Sequence, residues 1–155
     1  MKELVEYLIQ NKITISSAES FTVGHFASEI GSYPGVSAVF KGGFITYQTE
    51  IKEKVLGVDP QVIAKDGVVS VEVAKQMAIL CKKKMDSQIA VSFTGNAGPN
   101  AMENKPVGLC YIGICIDNQC EILECRFEGN RRDIVNQAVC TAVEVLKTKL
   151  HLRRI

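Results

Sequence analysis

Residues 13–24 read ITISSAESFTVG, a short β-branched run that breaks into small hydroxyl residues and then into a helical pattern. This order predicts a strand followed at once by a helix, the repeating unit of an α/β sheet. Ser20 stands at the junction, where its hydroxyl would lie beside backbone N–H groups that can stabilise an anion. Two interpretations follow: Ser20 caps the helix, or it is the nucleophile of an acyl-transfer reaction.

Strands and helices alternate on both sides of this stretch. The hydrophobic periodicity predicts helices near residues 2–11, 21–31, 49–56, 60 onward, 70–84 and 131 onward, and strands near 13–17, 39–47, 89–93, 107–116 and 119–127. Gly42 and Gly43 interrupt one strand, which indicates a bulge or a close backbone approach. We therefore predict an α/β protein with a three-layer α/β/α fold, a mixed sheet of about five or six strands, and a single domain over residues 1–155.

The composition narrows the class of protein. A chain of 155 residues with 46% hydrophobic content can bury one core and leaves little room for a second domain. The 18 basic and 17 acidic residues nearly balance, so no nucleic-acid partner is expected. Residues 1–10 are charged at helical spacing, unlike a signal peptide, and no apolar run is long enough to span a membrane, which predicts a cytoplasmic protein with no membrane partner. The small size and the apolar hairpin near the C-terminal third make a homodimer or higher homo-oligomer plausible.

Four of the six cysteines lie at a regular spacing of five residues: Cys110, Cys115, Cys120 and Cys125. A two-residue turn at 117–118 would pair Cys115 with Cys120 and Cys110 with Cys125, on opposite faces of a hairpin. A cross-strand disulfide is geometrically possible, and a zinc site is less so because the paired CxxC spacing is absent. Without an export signal, reduced and largely buried thiols are the expectation.

Three loops that leave strands carry unusual polar residues. In sheets of this class, ligands bind beyond the carboxyl ends of the strands. The first loop holds Ser20, Thr22 and Gly24, the second holds Tyr47, Glu50 and Lys52, and the third is the segment TGNAGP at residues 94–99. Taken singly, these are a helix cap, the start of a surface helix and an ordinary glycine turn.

Taken in order, the motifs are those of one family. They are AES at 18–20 with Thr22 and Gly24, PGVSAVF at 34–40 with Gly42 and Gly43, Tyr47 with Glu50 and Lys52, GV at 57–58, GVVS at 67–70, TGNAGP at 94–99, KPVG at 105–108 and FEGNR at 127–131. This set resembles the C-terminal domain family of the competence/damage-inducible protein CinA, whose members include nicotinamide mononucleotide deamidases. The resemblance covers nearly the whole chain, and ordered matches at so many places make it specific.

The resemblance implies hydrolysis of the carboxamide of nicotinamide mononucleotide to nicotinic acid mononucleotide and ammonia, a step of bacterial pyridine nucleotide salvage, with no metal and no cofactor. Ser20 corresponds to the catalytic serine of the family, and Tyr47 and Lys52 lie in the motif that supplies its polar partners. A Ser-His-Asp triad has little support, because only His25 and His151 are available and His25 should face away from Ser20. We therefore expect Lys52, directly or through Tyr47, to deprotonate Ser20 once burial lowers its pKa, and N–H groups of the following helix to hold the oxyanion.

The substrate also needs a binding site. The residues predicted to bind it are Thr22, Gly24, Thr94, Gly95, Asn96, Ala97, Gly98, Lys105 and Arg131. Backbone N–H groups from Gly95 to Gly98, with Arg131 as a fixed cation, would receive the phosphate, and Lys105 would close the pocket.

The chain departs from the family pattern around this pocket. Phe21 and Val23 stand where the family usually has cysteine and glycine, Asn96 replaces an apolar residue, and residues 100–104 replace a glycine-rich stretch. Thr49 stands for the usual asparagine and Asn130 for the usual aspartate. Two functions therefore remain open: an active amidohydrolase, or a CinA-like binding or interaction protein that keeps a nucleotide pocket without catalysis.

Overall fold

The computed structural model describes residues 1–151 and shows a five-stranded mixed sheet between two layers of helices. The strands are β1 (Ile15–Glu19), β2 (Phe40–Ile45), β3 (Ile89–Gly95), β4 (Leu109–Ile116) and β5 (Gln119–Arg126). The helices are α1 (Lys2–Asn11), α2 (His25–Gly31), α3 (Thr49–Ile51), α4 (Pro60–Asp66), α5 (Val71–Met85) and α6 (Arg131–Lys149), with a 3-10 turn at Val36–Ala38 and a π-helix at Lys52–Leu56. The predicted three-layer, single-domain α/β fold is confirmed; residues 152–155 lie outside the described residues.

The strand order β2-β1-β3-β4-β5 places β1 inside the sheet, parallel to both of its neighbours. β4 and β5 extend the sheet as antiparallel strands. The predicted irregularity in β2 is present, because the register skips from Phe40 to Gly42 opposite Ile15 and Ser16. A Cβ at Gly43 would lie 2.6 Å from the Ser17 carbonyl oxygen, so the close approach of β2 to β1 requires glycine. All five residues of β1 are buried, as expected for a central parallel strand.

The hydrophobic core lies on both faces of the sheet. On one face, β1, β3 and β4 pack their apolar side chains against α1, α2 and α6. On the other face, a smaller cluster joins Ala18 and Ala90 to Val73, Met77 and Cys81 of α5. The central strands are therefore shielded from water on both sides, which leaves the ends of the strands as the places where a ligand can reach the sheet.

The helix caps follow the sequence signals closely. The side chain of Asp59 accepts a hydrogen bond from Gln61 N–H at the start of α4, and that of Ser70 accepts one from Val73 N–H at the start of α5. Asn130 caps α6 in a reciprocal capping box with Asp133. None of the helices within residues 1–151 is both long and apolar enough to cross a membrane.

The first strand and helix differ from the prediction. β1 runs two residues further than expected, to Glu19, and α2 begins at His25 rather than at residue 21. Five residues, Ser20 to Gly24, separate them, and Gly24, with φ 84°, is the N-cap. Ser20 therefore does not cap the helix, and the interpretation of this serine as a simple N-cap is wrong.

The hairpin has the predicted register, with Cys115 opposite Cys120 and Cys110 opposite Cys125. Cys115 and Cys120 are joined by a disulfide, so the expectation of reduced thiols is wrong for this pair. Cys110 and Cys125 remain free, and both belong to the hydrophobic cluster on the face of the sheet that packs against α6. Burial raises the pKa of Cys110 to about 12 and that of Cys81 to about 11, which leaves both thiols protonated and unreactive at neutral pH.

Candidate active site

The three polar loops meet at one edge of the sheet, where β1 and β3 end side by side. They enclose a cleft of about 110 Å³. Its lining consists of Ser20, Phe21, Tyr47, Gly95, Asn96, Ala97, Gly98, Asn100, Met102 and Arg131. Seven of these residues were predicted as catalytic or substrate-binding: Ser20, Tyr47, Gly95, Asn96, Ala97, Gly98 and Arg131. Phe21, Asn100 and Met102 were not.

Ser20 and Lys52 are in direct contact inside the protein. The Nζ atom of Lys52 donates a hydrogen bond to the Ser20 Oγ at 2.9 Å, and the two residues are 1% and 8% exposed, respectively. The same Nζ donates to the carbonyl oxygens of Thr46 at 2.7 Å and Tyr47 at 3.1 Å. These two carbonyls follow β2 directly, so the end of that strand fixes the lysine against the serine.

Burial lowers the pKa of Lys52 to about 8 from its ordinary value of 10.5, and the charge of Glu103 opposes this shift. The three hydrogen-bond acceptors of the Lys52 Nζ are two carbonyls and a hydroxyl, none of which carries a formal charge. A substantial fraction of Lys52 is therefore neutral near pH 8, where a free amine can accept the serine proton.

Tyr47 joins two of the loops to the start of α6. Its hydroxyl accepts a hydrogen bond from Arg131 Nη2 at 2.7 Å, and the Nη1 of Arg131 donates to the Gly98 carbonyl oxygen. The Tyr47 hydroxyl is thus engaged by Arg131, whereas the backbone carbonyl oxygen of Tyr47 accepts the hydrogen bond from Lys52. The geometry supports direct proton transfer between Lys52 and Ser20, rather than a relay through the Tyr47 hydroxyl.

Glu19 shapes the turn that presents Ser20, a role that the sequence analysis did not assign. This carboxylate is 1% exposed and accepts hydrogen bonds from Thr22 Oγ1 at 2.7 Å, Phe26 N–H at 3.2 Å and Ala27 N–H at 2.9 Å. Ser17 Oγ donates to it as well. An acidic residue at the end of a fully buried strand was the signal that could have found it, since such a carboxylate must be satisfied by donors.

This network corrects the predicted oxyanion site. The first N–H groups of α2 are not free for an oxyanion, because Phe26 and Ala27 donate theirs to Glu19. Closer to the serine, the N–H groups of Phe21 and Thr22 have no hydrogen-bond acceptor among residues 1–151. They are the donors available next to Ser20.

Four of the predicted substrate-binding residues lie outside the cleft, and two of these, Thr94 and Lys105, support the segment before α5. Thr94 is buried, and its hydroxyl donates to the Val68 carbonyl oxygen at 2.6 Å. Lys105 does not close the pocket, because its Nζ donates to the carbonyl oxygens of Asp66 and Val69 and pairs with Glu103. Both side chains instead hold the segment before α5 in place.

Asn96 organises the third loop from within the cleft wall. Its N–H donates to the Leu109 carbonyl oxygen, so it is not available to a phosphate as predicted. Its side-chain amide donates to the carbonyl oxygens of Met102 and Lys105, which draws residues 100–105 over the cleft. This explains why Asn100 and Met102 line the site, although no periodic pattern in the sequence predicts it.

Thr22 and Gly24 lie in an adjoining groove rather than in the cleft. His25 lines this groove too, which agrees with the expectation that its ring faces away from Ser20. Val23 has φ 46° and a side chain that is 56% exposed, so the turn keeps a left-handed conformation that a β-branched residue rarely adopts. Among residues 1–151, no group of three or more His, Cys, Asp and Glu side chains is arranged to hold a metal ion.

The fold and the site together define an α/β protein with a buried serine–lysine pair at the carboxyl edge of a mixed sheet. The family model of the CinA C-terminal domain matches residues 1–150, and the chain belongs to this family. A competence-damage inducible protein of Levilactobacillus brevis is 41% identical over 150 residues, which are 95% of this chain and 36% of that protein. One from Alkaliphilus oremlandii is 42% identical over 152 residues, 97% of this chain and 37% of its own length. The chain thus spans little more than a third of these curated relatives.

Solved structures share the fold over almost the whole chain. A CinA superfamily protein from Klebsiella pneumoniae superposes with a TM-score of 0.93 at 28% identity, covering 96% of this chain and 94% of that one. The competence/damage inducible protein CihA from Agrobacterium tumefaciens gives a TM-score of 0.91 at 32% identity, with 95% and 91% coverage.

Proposed function

We propose that the protein is a metal-independent amidohydrolase that converts nicotinamide mononucleotide and water to nicotinic acid mononucleotide and ammonia, with Ser20 as the nucleophile. The observation that carries the proposal is the contact between the buried Lys52 Nζ and the Ser20 Oγ at 2.9 Å. Burial disfavours the charged form of Lys52 and lowers its pKa to about 8. Its neutral amine is therefore a suitable base for a serine hydroxyl.

In the first half of the reaction, neutral Lys52 takes the proton of Ser20 while the Oγ attacks the carboxamide carbon. The N–H groups of Phe21 and Thr22 are the candidate donors to the resulting oxyanion, since neither has an acceptor among residues 1–151. The C–N bond then breaks, and the protonated Lys52 delivers its proton to the departing amine, which leaves as ammonia. The product of this half is an ester between the acyl group and Ser20.

In the second half, water replaces ammonia in the same position. Lys52 removes a proton from the water as it attacks the ester carbonyl, and returns that proton to the Ser20 Oγ as the ester bond breaks. The free carboxylic acid is released and the serine–lysine pair is restored. Tyr47 and Arg131 maintain the geometry, because their hydrogen bond ties the segment that holds Lys52 to the third loop.

The test is ammonia release from nicotinamide mononucleotide. Wild type should release ammonia in step with nicotinic acid mononucleotide, and Ser20→Ala should lose the activity by about three orders of magnitude. Ser37→Ala is the matched control, since Ser37 is an exposed serine in the 3-10 turn and should behave as wild type. Equal turnover by wild type and Ser20→Ala would overturn the assignment.

The alternative function, a nucleotide-binding protein without catalysis, is favoured by one observation. The cleft of about 110 Å³ is small beside the roughly 300–1,000 Å³ of ordinary small-molecule sites, because Asn100 and Met102 cover it. Thermal stabilisation of the wild-type protein by nicotinamide mononucleotide, without ammonia release, would support this alternative over hydrolysis.

A further inference from the structure

A second cavity adjoins the Ser20 cleft. This groove has a volume of about 540 Å³ and lies between the turn that follows Ser20 and the first two turns of α6. It is lined by Phe21, Thr22, Val23, Gly24, His25, Ser28, Arg131, Arg132, Val135 and Asn136. Phe21 and Arg131 line both the groove and the cleft, so the two cavities are neighbours.

The sizes of the two cavities suggest that each one binds a different part of the substrate. About 110 Å³ suffices for the amide end of a substrate but not for a whole nucleotide. The remainder of a larger substrate must then lie outside the cleft, and the groove is the adjoining space with the required volume.

The groove is cationic, and three of its polar side chains are unoccupied. Arg131 and Arg132 both line it, and no aspartate or glutamate does. Within residues 1–151, the side chains of Arg132, His25 and Asn136 make no hydrogen bond or ion pair. By contrast, the N–H groups of Arg132 and Asp133 are already taken by the Asn130 cap, so an anion here would be held by side chains.

We propose that this groove binds the phosphate monoester of the substrate whose carboxamide reacts at Ser20, with the Arg132 guanidinium as its principal ligand. A guanidinium presents two parallel N–H donors that match phosphate oxygens, and His25 and Asn136 add donors from opposite walls. Arg131 is less available, since two of its nitrogens already donate to Gly98 and Tyr47. The inference rests on the proposed amide hydrolysis, and it moves the phosphate from the Gly95–Gly98 loop to the groove.

Two substrates that differ only in the phosphate test this site: nicotinamide mononucleotide and nicotinamide riboside. Wild type should favour the mononucleotide by at least about tenfold in kcat/KM, through a lower KM. Arg132→Ala should reduce this preference at least fivefold. Arg126→Ala, which removes an exposed arginine of β5 that does not line the groove, should keep it. Equal use of both substrates by wild type, or an unchanged preference in Arg132→Ala, would overturn the groove while leaving amide hydrolysis intact.

A binding measurement separates the failure of the groove from the failure of the reaction. In the Ser20→Ala background, the mononucleotide should raise the melting temperature and the riboside should not, and adding Arg132→Ala should abolish the shift. If wild type releases no ammonia but shows this Arg132-dependent shift, the phosphate site stands and the hydrolase assignment fails. If the mononucleotide gives no shift at all, the groove is not a phosphate site.

Discussion

Lys52 and Lys105 are held in nearly the same way in two regions of the molecule, yet only one of them is suited to chemistry. Each ammonium group donates to two backbone carbonyl oxygens at the end of a strand or helix. Lys52 donates to Thr46 and Tyr47 at 2.7 and 3.1 Å. Lys105 donates to Asp66 and Val69 at 3.0 and 2.5 Å.

Burial and the third acceptor make the difference, because Lys52 is 1% exposed whereas the side chain of Lys105 is 27% exposed. The third partner of Lys105 is the carboxylate of Glu103 at 3.2 Å. This ion pair gives Lys105 a structural role. Lys52 has the neutral hydroxyl of Ser20 in the same position, and burial lowers its pKa to about 8. The two lysines therefore differ both in burial and in their last partner, which is a hydroxyl for Lys52 and a carboxylate for Lys105.

The largest expected effect separates the two lysines by substitution. Lys52→Met should lower kcat for ammonia release by about 10³-fold, because the base for Ser20 is lost. Its melting temperature should change little, since the loss of two carbonyl hydrogen bonds is offset by removing a buried charge. Lys105→Met should instead lower the melting temperature, because it leaves the Glu103 carboxylate without its cation. Lys65→Met, on the exposed side of α4, is the control for both measurements. A large loss of stability and no loss of turnover in Lys52→Met would reverse the comparison.

The pH dependence sharpens the same contrast. Because only neutral Lys52 can accept the serine proton, kcat/KM should rise about tenfold per pH unit below pH 8 and level off above it. The stability has a matching sign: the folded-state pKa lies below the ordinary 10.5, so the unfolded chain binds more protons between pH 8 and 10.5. The free energy of unfolding should therefore gain a favourable contribution as the pH rises through this window. Urea denaturation of wild type and Lys52→Met would show it, and equal slopes in the two proteins would exclude Lys52 as its source.

Much of the fold follows from local patterns in the sequence. The caps at Asp59 and Ser70 and the two-residue turn at 117–118 each depend on a few adjacent residues, and all three are confirmed. Periodicity could not fix where β1 ends, because its last residue, Glu19, is a carboxylate that is buried only with donors from the following turn and α2. The sequence predicted an ordinary short helix near 49–56, and no local pattern distinguished the π-helix at Lys52–Leu56, whose first residue contacts Ser20.

The sequence motifs predicted which residue types carry the chemistry, but they did not predict which of the neighbouring polar side chains face the cleft. The resemblance to the family motifs pointed to Ser20, Tyr47 and Lys52, and the lack of a suitable histidine pointed to a lysine or a tyrosine as the base. Thr94 and Lys105 carry the right groups but point to carbonyls before α5, a direction that sequence spacing does not contain. The cover formed by Met102 depends on a side-chain hydrogen bond from Asn96 to the Met102 carbonyl oxygen within the same loop, which no periodic pattern signals.

A smaller effect is expected from Glu103, which influences both lysines. Although burial raises its pKa, N–H bonds from Val68 and Val69 and the charge of Lys105 hold it below its ordinary 4.5. Glu103→Gln should therefore cost about 1–2 kcal/mol of unfolding free energy at pH 7, and the cost should shrink as the pH falls below 4.5.

The same substitution should move the activity profile. The negative charge of Glu103 raises the pKa of Lys52, so its removal should shift the rise of kcat/KM to lower pH. Denaturation curves at pH 7 and pH 4 and a pH–rate profile provide the two readouts. A shift of the profile to higher pH would mean that Glu103 acts on Lys52 through the loop conformation and not through its charge.

The smallest effect concerns the turn on the serine side of the pair. Val23 has φ 46°, a conformation that costs a β-branched residue about 1–2 kcal/mol, and its side chain is 56% exposed and loses little packing on removal. Val23→Gly should therefore stabilise the protein by about 1 kcal/mol, after allowing for the greater freedom of glycine in the unfolded chain. Lys12→Gly, at a left-handed position (φ 55°) without β-branching, should gain less. If Val23→Gly were instead destabilising, the side chain of Val23 would have to support the turn, and the departure from the family's glycine would be structural rather than a tolerated strain beside Ser20.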